Sequence, residues 1–355
     1  MLRFSVSCAS GSRGFGVAAS RLACAVVALG AVSCAAPWLG HADAPRAVVR
    51  GPIPTRIMQP AGLIFPIPRP RRAAVLEHGK FALRTDVTYS SIFESRGRLD
   101  SAARFDGEIA RASARLAYGL GGGGEISIEP SALFGSSGFL DQVLNDFHEF
   151  TGFAGGGREQ TGNGQYAMRL ERDGVTAWEF EEDQILLGDL PVSWTQVLRA
   201  EDGHGPAVSV RTTIELPTGD EDRGSGSGGI DVGAGVLLER SLGRWTFTGG
   251  MDGMQADQPR RFRDAGIDVR TLLLASGGVE YRWSNRTSLL FQAVLQMPLT
   301  RDLPFEEIDR EILDLGFGIS RDLSKGTRLI LSFHEDAVAA SGMDASLYAG
   351  LVFSW

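Results

Sequence analysis

The sequence predicts an all-β protein: a closed, antiparallel, up-and-down transmembrane β-barrel of about twelve strands, with one helical insert in a long outer loop. Three observations lead to this prediction. Apolar and polar residues alternate along many short segments, the connections between these segments are alternately long and short, and an apolar stripe continues to the last residue of the chain. A soluble β-sandwich explains the alternation but not the order of the connections.

The alternation is clear at the C-terminus, in SLYAGLVFSW (346–355). Successive side chains of a strand point to opposite faces, so one face of this segment is apolar and the other is small or polar. The apolar face contains Leu347, Ala349, Leu351, Phe353 and Trp355. The segments VSVRTTIEL, SLLFQAVLQM and ILDLGFGIS alternate in the same way. Because chain termini normally fray in water, an apolar stripe that ends at the carboxylate indicates contact with lipid.

The connections between the segments follow one order. Candidate strands lie near 79–92, 104–119, 123–135, 191–201, 206–217, 229–241, 244–254, 268–284, 287–300, 308–323, 326–336 and 344–355. Long connections alternate with the short turns GLGGG, EDGHG, SLGR, SNR and SKG. An up-and-down barrel with short periplasmic turns, long outer loops and both termini on the periplasmic side requires this order.

Residues 1–42 have the order of a secretory signal peptide, which is basic, then apolar, then small. They contain Arg3, Arg13 and Arg21 but no acid, followed by LACAVVALGAVSCAAPWLG and a small-residue cleavage site in GHADA. A lipidated Cys34 is the alternative start of the mature chain, because AVSC loosely resembles a lipoprotein signal. We expect residues 43–78 to form a Pro-rich, basic periplasmic segment and residues 79–355 to form the barrel.

Composition excludes several classes of protein. The net charge of −8 becomes −11 when the three arginines of the signal are removed, so we expect no nucleic-acid partner. All three cysteines, Cys8, Cys24 and Cys34, lie in the signal, and a closed hydrogen-bonded barrel can stabilise an exported chain without disulfides. Beyond the signal, no apolar run approaches the roughly 18 residues that a transmembrane helix needs.

Aromatic residues mark one rim of the predicted barrel. Tyr118, Trp245, Trp283, Phe353 and Trp355 lie within a few residues of a short turn or of the C-terminus. Amphipathic rings prefer the membrane–water interface, so we predict that these residues anchor the barrel in outer-membrane lipid. The terminal Phe-x-Trp also resembles the C-terminal signature of bacterial outer-membrane proteins. That resemblance implies insertion by the outer-membrane assembly machinery.

Several stretches resemble an uncharacterised proteobacterial family of outer-membrane β-barrels. They are the Pro-rich stretch from Ile53 to Phe93, FHEFTGFAGGGREQ (147–160), GDL (188–190), ELPTGD (215–220) and FHED (333–336). The resemblance covers roughly residues 53–355. It implies a barrel in the outer membrane of a Gram-negative cell, and it brings no activity and no catalytic residues.

The insert 136–190 is the most informative candidate site. In FLDQVLNDFHEF (139–150), apolar residues recur at helical spacing, which predicts an amphipathic helix. One interpretation is a helix that packs over the barrel mouth to cover its own apolar side. The other is a constriction or lid in which His148, Glu149 and Arg158 face a solute path.

The phase of each strand predicts which charged side chains face the lumen. Arg211, Glu215, Asp314 and His334 are the wall residues that we assign to a candidate constriction. The other inward charges are Arg84, Asp86, Arg111, Arg115, Glu125, Glu129, Asp231, Glu239, Glu280, Arg282 and Arg328. Both signs of charge occur, so a salt-bridged filling of a narrow barrel and a water-filled polar pore are both open.

The sequence favours a narrow channel or small-solute transporter whose lumen is constricted by the insert. The alternative is a plugged barrel with a structural or surface-interaction role. A lipid-modifying enzyme at the rim is a third hypothesis, because Ser332 and His334 share a strand face, but no nucleophile motif surrounds any serine. FHED and GDED are isolated acidic groups, and no His/Cys metal spacing is present. We therefore assign no catalytic residue, no metal site and no cofactor.

Overall fold

A computed structural model describes residues 48–98, 100–138, 165–202, 205–301, 303, 305, 309–337, 343 and 345–355. The predicted signal peptide, the predicted helix 139–150 and the candidate residues His148, Glu149 and Arg158 lie outside the described residues. Among the described residues, no helix is long and apolar enough to cross a membrane.

Twelve antiparallel strands close into a barrel, which confirms the predicted fold class. The strands of the structure are β1 (Phe81–Arg98), β2 (Ser101–Gly121), β3 (Gly124–Ile128), β4 (Ser131–Ser136), β5 (Ala167–Arg172), β6 (Val175–Glu179), β7 (Ile185–Leu187), β8 (Leu190–Arg199), β9 (Ala207–Leu216), β10 (Asp231–Leu242), β11 (Trp245–Gln255), β12 (Asp268–Val269), β13 (Leu272–Arg282), β14 (Thr287–Gln296), β15 (Thr300–Arg301), β16 (Ile312–Ser324), β17 (Thr327–Asp336) and β18 (Ala345–Ser354). In the barrel wall β3 and β4 share one position. The strands β5, β6, β7, β12 and β15 belong to the long connections.

The first and last strands close the barrel. β1 pairs with β18 from Ala82↔Ser354 to Ser91↔Ala345 and with β2 along its whole length. Each of the other wall strands pairs with its neighbours in chain order. Closure pairs the backbone groups of the last strand with those of the first, so neither β1 nor β18 has a free edge over the paired residues.

The predicted inward and outward faces are confirmed by burial. On β14, Leu289 and Phe291 are 42% and 41% exposed, whereas Gln292 and Gln296 are each 1% exposed. The apolar stripe of β18 points outward, while Ser346, Tyr348 and Gly350 between its residues are buried. The apolar face is therefore the outer surface of the barrel, where lipid is the solvent that suits it.

Two expectations about the strands were wrong in detail. We expected a long connection at 93–103, but β1 and β2 continue past the wall and remain paired as far as Arg98↔Ser101. Their extra length buries Ile92 and Phe105 against the connections at that end of the barrel. The strand expected at 123–135 is interrupted between β3 and β4, where Pro130 has no N–H to donate to the ladder.

The described part of the insert 136–190 is β-structure. A hairpin of β5 and β6 continues the sheet, since β5 pairs with the outer part of β2, and β7 pairs with β4. A short helix, α1 (Arg260–Asp264), lies in the connection between β11 and β12, and a 3-10 helix covers Pro60–Gly62. The predicted insert helix itself falls outside the described residues.

Residues 49–73, named here the luminal segment, lie inside the barrel. Arg50 contacts wall residues beside the short turns, and Phe65 packs against α1 near the long connections. The chain then returns, and Ala73 accepts a hydrogen bond from Ser209 of β9 before β1 begins. The described part of the segment that we expected on the periplasmic side therefore follows an inverted U within the lumen. Wall carboxylates and apolar wall residues complement its arginines and aliphatic side chains.

Candidate functional site in the barrel lumen

The luminal segment is anchored at the short-turn end by Arg50. The Arg50 backbone N–H and the Gly51 N–H both donate to Glu280 Oε2 at 2.8 Å. The Arg50 Nε atom donates to Asp322 Oδ2 at 2.8 Å, and its Nη1 donates to Ser288 Oγ at 3.2 Å. Three wall strands thus bind one arginine at this end of the lumen.

Above this anchor, Ile53 fills an apolar notch in the wall. It packs in a cluster with Leu290, Ile330 and Tyr348. Its N–H donates to Gln292 Oε1 at 3.1 Å, and the Gln292 amide donates back to the Ile53 carbonyl at 3.0 Å. One side chain, that of Gln292, therefore satisfies both the N–H and the carbonyl of Ile53. Backbone groups that are buried in the lumen need such partners.

The outer half of the lumen is an apolar core. Segment residues Ile57, Met58 and Phe65 are fully buried together with Trp178 of β6 and Phe262 of α1. The Phe65 and Phe262 rings are 5.6 Å apart in an edge-on arrangement. The turn of the luminal segment is thus covered by the described part of the insert and by α1, which places the insert over the top of the segment.

The middle of the lumen is a polar layer of arginines and carboxylates. Arg69 of the luminal segment bonds to Asp86 at 2.9 Å and to Ser113 at 3.0 Å. Arg84 bonds to Asp86 at 2.7 Å and to Glu129 at 2.9 Å. The two carboxylates are therefore shared between a segment arginine and a wall arginine, so the segment is part of one hydrogen-bonded network with the wall.

A cavity of about 50 Å³ lies in this layer, and we call it the arginine chamber. Its lining contains the arginines Arg56, Arg69, Arg71, Arg84, Arg111, Arg115 and Arg211 and the carboxylates Glu129 and Glu215. Arg115 and Arg71 share Glu125, at 2.5 Å and 3.3 Å, and Arg211 pairs with Asp252 at 2.6 Å. Seven arginines and two carboxylates thus line the chamber surface, and further carboxylates pair with the arginines from behind.

Three buried carboxylates meet beside the chamber. One oxygen each of Asp189, Glu215 and Asp231 lies within 4.8 Å of the other two. Asp189 accepts backbone N–H bonds from Gly219 and Ser227, each at 2.7 Å. Burial raises the pKa of the Asp189 carboxyl above its ordinary value although both bonds act in the opposite direction.

The candidate wall residues fall into two separate groups. Arg211 and Glu215 line the arginine chamber. Asp314 and His334 lie on β16 and β17, where His334 Nδ1 is 2.9 Å from Asp314 Oδ2 and its Nε2 is 2.9 Å from Ser332 Oγ. All three of these side chains are buried in the barrel interior rather than exposed to lipid, so they do not form a lipid-facing rim site.

The candidate interface residues lie at the short-turn end of the strands. Trp245, Trp283 and Trp355 are 47%, 64% and 57% exposed. Phe81, at the start of β1, lies close to two of these candidate residues. Its ring is 4.6 Å from that of Tyr118 and 5.9 Å from that of Trp355. Phe353 is half-buried on the last strand.

Sequence reasoning missed the arginines that the luminal segment brings into the lumen. The inward faces of the predicted strands carry more carboxylates than guanidinium groups, and the run RPRR precedes the first strand. Charge complementarity between these two features was the signal that could have placed the segment inside the barrel.

A family model for proteins of unknown function, DUF3187, matches residues 26–355. The chain belongs to the DUF3187 family. No curated protein matches the chain. Solved structures with a similar fold include the COG4313 outer membrane channel from Pseudomonas putida F1, with 14% sequence identity and a TM-score of 0.55 over 81% of this chain and 99% of that chain.

Two further solved structures align with this DUF3187 chain. For the NanC porin the identity is 10% and the TM-score 0.42, over 77% of this chain and 98% of that chain. For the toluene transporter TodX of P. putida the identity is 13% and the TM-score 0.33, over 84% of this chain and 92% of that chain. The COG4313 channel shares the fold, and the chain is thus a DUF3187 barrel with the architecture of an outer-membrane channel.

Proposed function

We propose that this DUF3187 protein is a narrow outer-membrane channel for small solutes, closed by the luminal segment. One observation carries the proposal. The luminal segment forms no β-ladder with the wall, and side chains make most of its polar contacts. The segment can therefore leave the lumen without breaking the backbone hydrogen bonds that hold the barrel closed.

The two ends of the segment favour movement toward the periplasmic side. The Arg50 anchor lies beside the short turns, and Leu76 of the returning chain bonds to Glu125 close to the turn between β2 and β3. Both ends are thus at the same end of the barrel. An inverted U with both ends on one side can be withdrawn without threading the chain through the pore.

The insert 136–190 is a second constriction in this proposal, at the outer mouth. Its hairpin contributes Leu170 and Trp178 to the apolar core over the turn of the luminal segment. That core also favours the alternative function, a permanently plugged barrel with a structural or surface-interaction role. A fully buried apolar cluster is costly to open, because each large side chain loses about 1.5–3 kcal/mol of burial.

Single-channel conductance in planar bilayers distinguishes the two functions. We expect low or gated conductance from the parent, a steadily open pore after deletion of residues 49–73, and an intermediate increase after deletion of residues 138–164. Heat-modifiable gel mobility of each variant verifies that the barrel is folded. A parent that never conducts, beside a folded form without residues 49–73 that conducts steadily, would contradict the channel and support the permanently plugged barrel. Folded variants that both fail to conduct would contradict the channel as well.

Export and location form part of the same proposal. Cleavage of residues 1–42 by a signal peptidase, insertion by the assembly machinery through Phe353 and Trp355, and anchoring in outer-membrane lipid are proposed. Fractionation of a Gram-negative host and mass spectrometry of the mature N-terminus test them. Recovery in the soluble periplasm contradicts the location, and an acylated Cys34 replaces the cleaved signal by a lipoprotein signal.

A further inference from the structure

Arg111 is a buried arginine to whose Nη1 atom the described residues offer no hydrogen-bond acceptor. It lies on β2 with its side chain inward, and the residue is 4% exposed. Its Nη1 atom is buried and has no hydrogen-bond partner within the part of the chain that the structure describes. The other wall arginines of the arginine chamber, Arg84, Arg115 and Arg211, are each paired with a carboxylate.

Three neighbouring carboxylates are already shared between arginines, and Glu215, which also lines the chamber, is grouped with Asp189 and Asp231. Asp86 and Glu129 each serve Arg69 and Arg84. Glu125, on the next strand, likewise serves two arginines. No carboxylate of these pairs is left to neutralise Arg111.

An isolated guanidinium in such a place is unfavourable. Removing an ion from water is costly unless an opposite charge and hydrogen bonds compensate it. Arg111 also lines the cavity of about 50 Å³. A single water needs only about 10–15 Å³ by this kind of measure, so the cavity has room for a ligand of a few heavy atoms.

We propose that Arg111 binds a small oxyanion in the arginine chamber, either a carboxylate or a phosphate group. The planar guanidinium presents parallel N–H donors that match two oxygens of such a group. The anion supplies the missing charge and accepts the free Nη1–H. Binding does not require the barrel to conduct. A role of this site in selecting anionic solutes rests on the proposed channel function.

Binding of inorganic phosphate and of acetate to the detergent-solubilised protein tests the site. Ionic strength is held constant with sodium chloride, and affinity is measured by calorimetry and by the shift in unfolding temperature. We expect saturable binding of at least one of the two anions to the parent and at least a tenfold loss in Arg111→Met, as for a lost charge-assisted hydrogen bond. Arg111→Lys retains the charge but lacks the parallel N–H donors of the guanidinium. Its affinity for the anion should therefore lie between those of the parent and Arg111→Met.

Arg282→Met is the matched control, because Arg282 is an inward arginine at the rim that bonds to the Gly243 carbonyl and lies outside the chamber. It should bind the anions as the parent does. Without added anion, Arg111→Met should unfold at a higher temperature than the parent, since the unpaired charge is removed. Equal anion affinity in the parent and Arg111→Met, or no saturable binding of either anion to the parent, overturns the proposal.

Conductance separates this inference from the proposed function. Reversal potentials in a salt gradient, measured on the form without residues 49–73, report the preference for anions over cations. If that form conducts but Arg111→Met leaves both the preference and the anion affinity unchanged, the site is wrong and the channel stands. If anions bind through Arg111 but no form conducts, the site stands and the channel is wrong.

Discussion

Arg69 of the luminal segment and Asp86 of β1 form a buried ion pair, with Nη1 2.9 Å from Oδ1 and side-chain exposures of 5% and 0%. The same guanidinium lies 3.0 Å from Glu129 and donates to Ser113. Arg69 therefore holds the middle of the segment to two wall strands at once. It is the residue at which the stability of the closed lumen can be tested separately from that of the barrel.

Arg69→Met should release the segment while the wall remains folded. Breaking a buried pair costs about 3–5 kcal/mol, and the lower end applies here because Arg84 still neutralises Asp86 and Glu129. We expect faster tryptic cleavage at Arg71 and Arg72 and unchanged heat-modifiable mobility. Arg286→Met is the control, because Arg286 lies in an exposed turn. Trypsin should cleave this variant at Arg71 and Arg72 at the same rate as the parent. Protection equal to the parent in Arg69→Met contradicts the anchoring role.

Phe317→Arg should destabilise the barrel because this side chain points to lipid in the middle of β16. Phe317 is 55% exposed, and its ring lies 5.0 Å from that of Phe291 in a tilted arrangement. An arginine at the bilayer midplane costs about 2–4 kcal/mol, and near the interface only about 0–1 kcal/mol. Leu323→Arg, on the same face near the short turn, is therefore the control. Urea unfolding in lipid vesicles measures the loss of unfolding free energy in both variants. Equal losses would mean that the depth of Phe317 in the membrane, or its contact with lipid, is assigned wrongly.

A lumen-side arginine at Gly318 looks tolerable from strand parity, and the structure shows that it is not. A Cβ atom at this position lies 2.8 Å from the Leu331 carbonyl and 3.2 Å from Ile53 Cδ1. The inward glycine leaves room for β17 and for the luminal segment. Parity predicts which way a side chain points, whereas this close approach depends on a segment far away in sequence.

The same distinction explains what the sequence could predict. Alternation along β14 and β18 is local and has a period of two, so the wall, its faces and the inward position of Arg211 followed from it. The path of residues 49–73 is non-local, because Arg50 meets Glu280 and Asp322 only after the barrel has closed. A Pro-rich stretch has neither helical nor strand periodicity, so nothing in its own pattern indicated burial.

Stability around Asp189 should fall as the pH rises. Burial raises the pKa of this carboxyl above its unfolded value, and it faces Glu215, Asp231 and the Arg56 guanidinium. The folded state therefore holds the Asp189 proton more tightly than the unfolded state does. The contribution of Asp189 to the free energy of unfolding is complete below about pH 4, and it is lost as the pH rises through the pKa of the folded state. Asp189→Asn should reduce this dependence. Urea unfolding of both proteins at several pH values measures the two slopes, and identical slopes would exclude Asp189 as a source.

Gly119 lies where the chain leaves the lumen and crosses β2. The Gly119 N–H donates to the Lys80 carbonyl, and the Gly79 N–H donates to the Gly119 carbonyl, both at 3.0 Å. A Cβ atom at Gly119 would lie 2.1 Å from the Glu77 carbonyl oxygen and 2.8 Å from that of Leu76. Because these contacts are to backbone atoms, no change of rotamer can relieve them.

Gly119→Ala should therefore displace the returning chain and cost about 1–3 kcal/mol, as overpacking does elsewhere. Gly97→Ala is the matched control, since a Cβ atom there meets nothing within 4 Å and Gly97 is also a strand glycine. Urea unfolding gives the loss of stability, and tryptic cleavage at Arg71 and Arg72 reports whether the segment has loosened. If Gly119→Ala is as stable as Gly97→Ala and equally resistant to trypsin, the segment does not cross β2 at this glycine, and its path out of the lumen must be different.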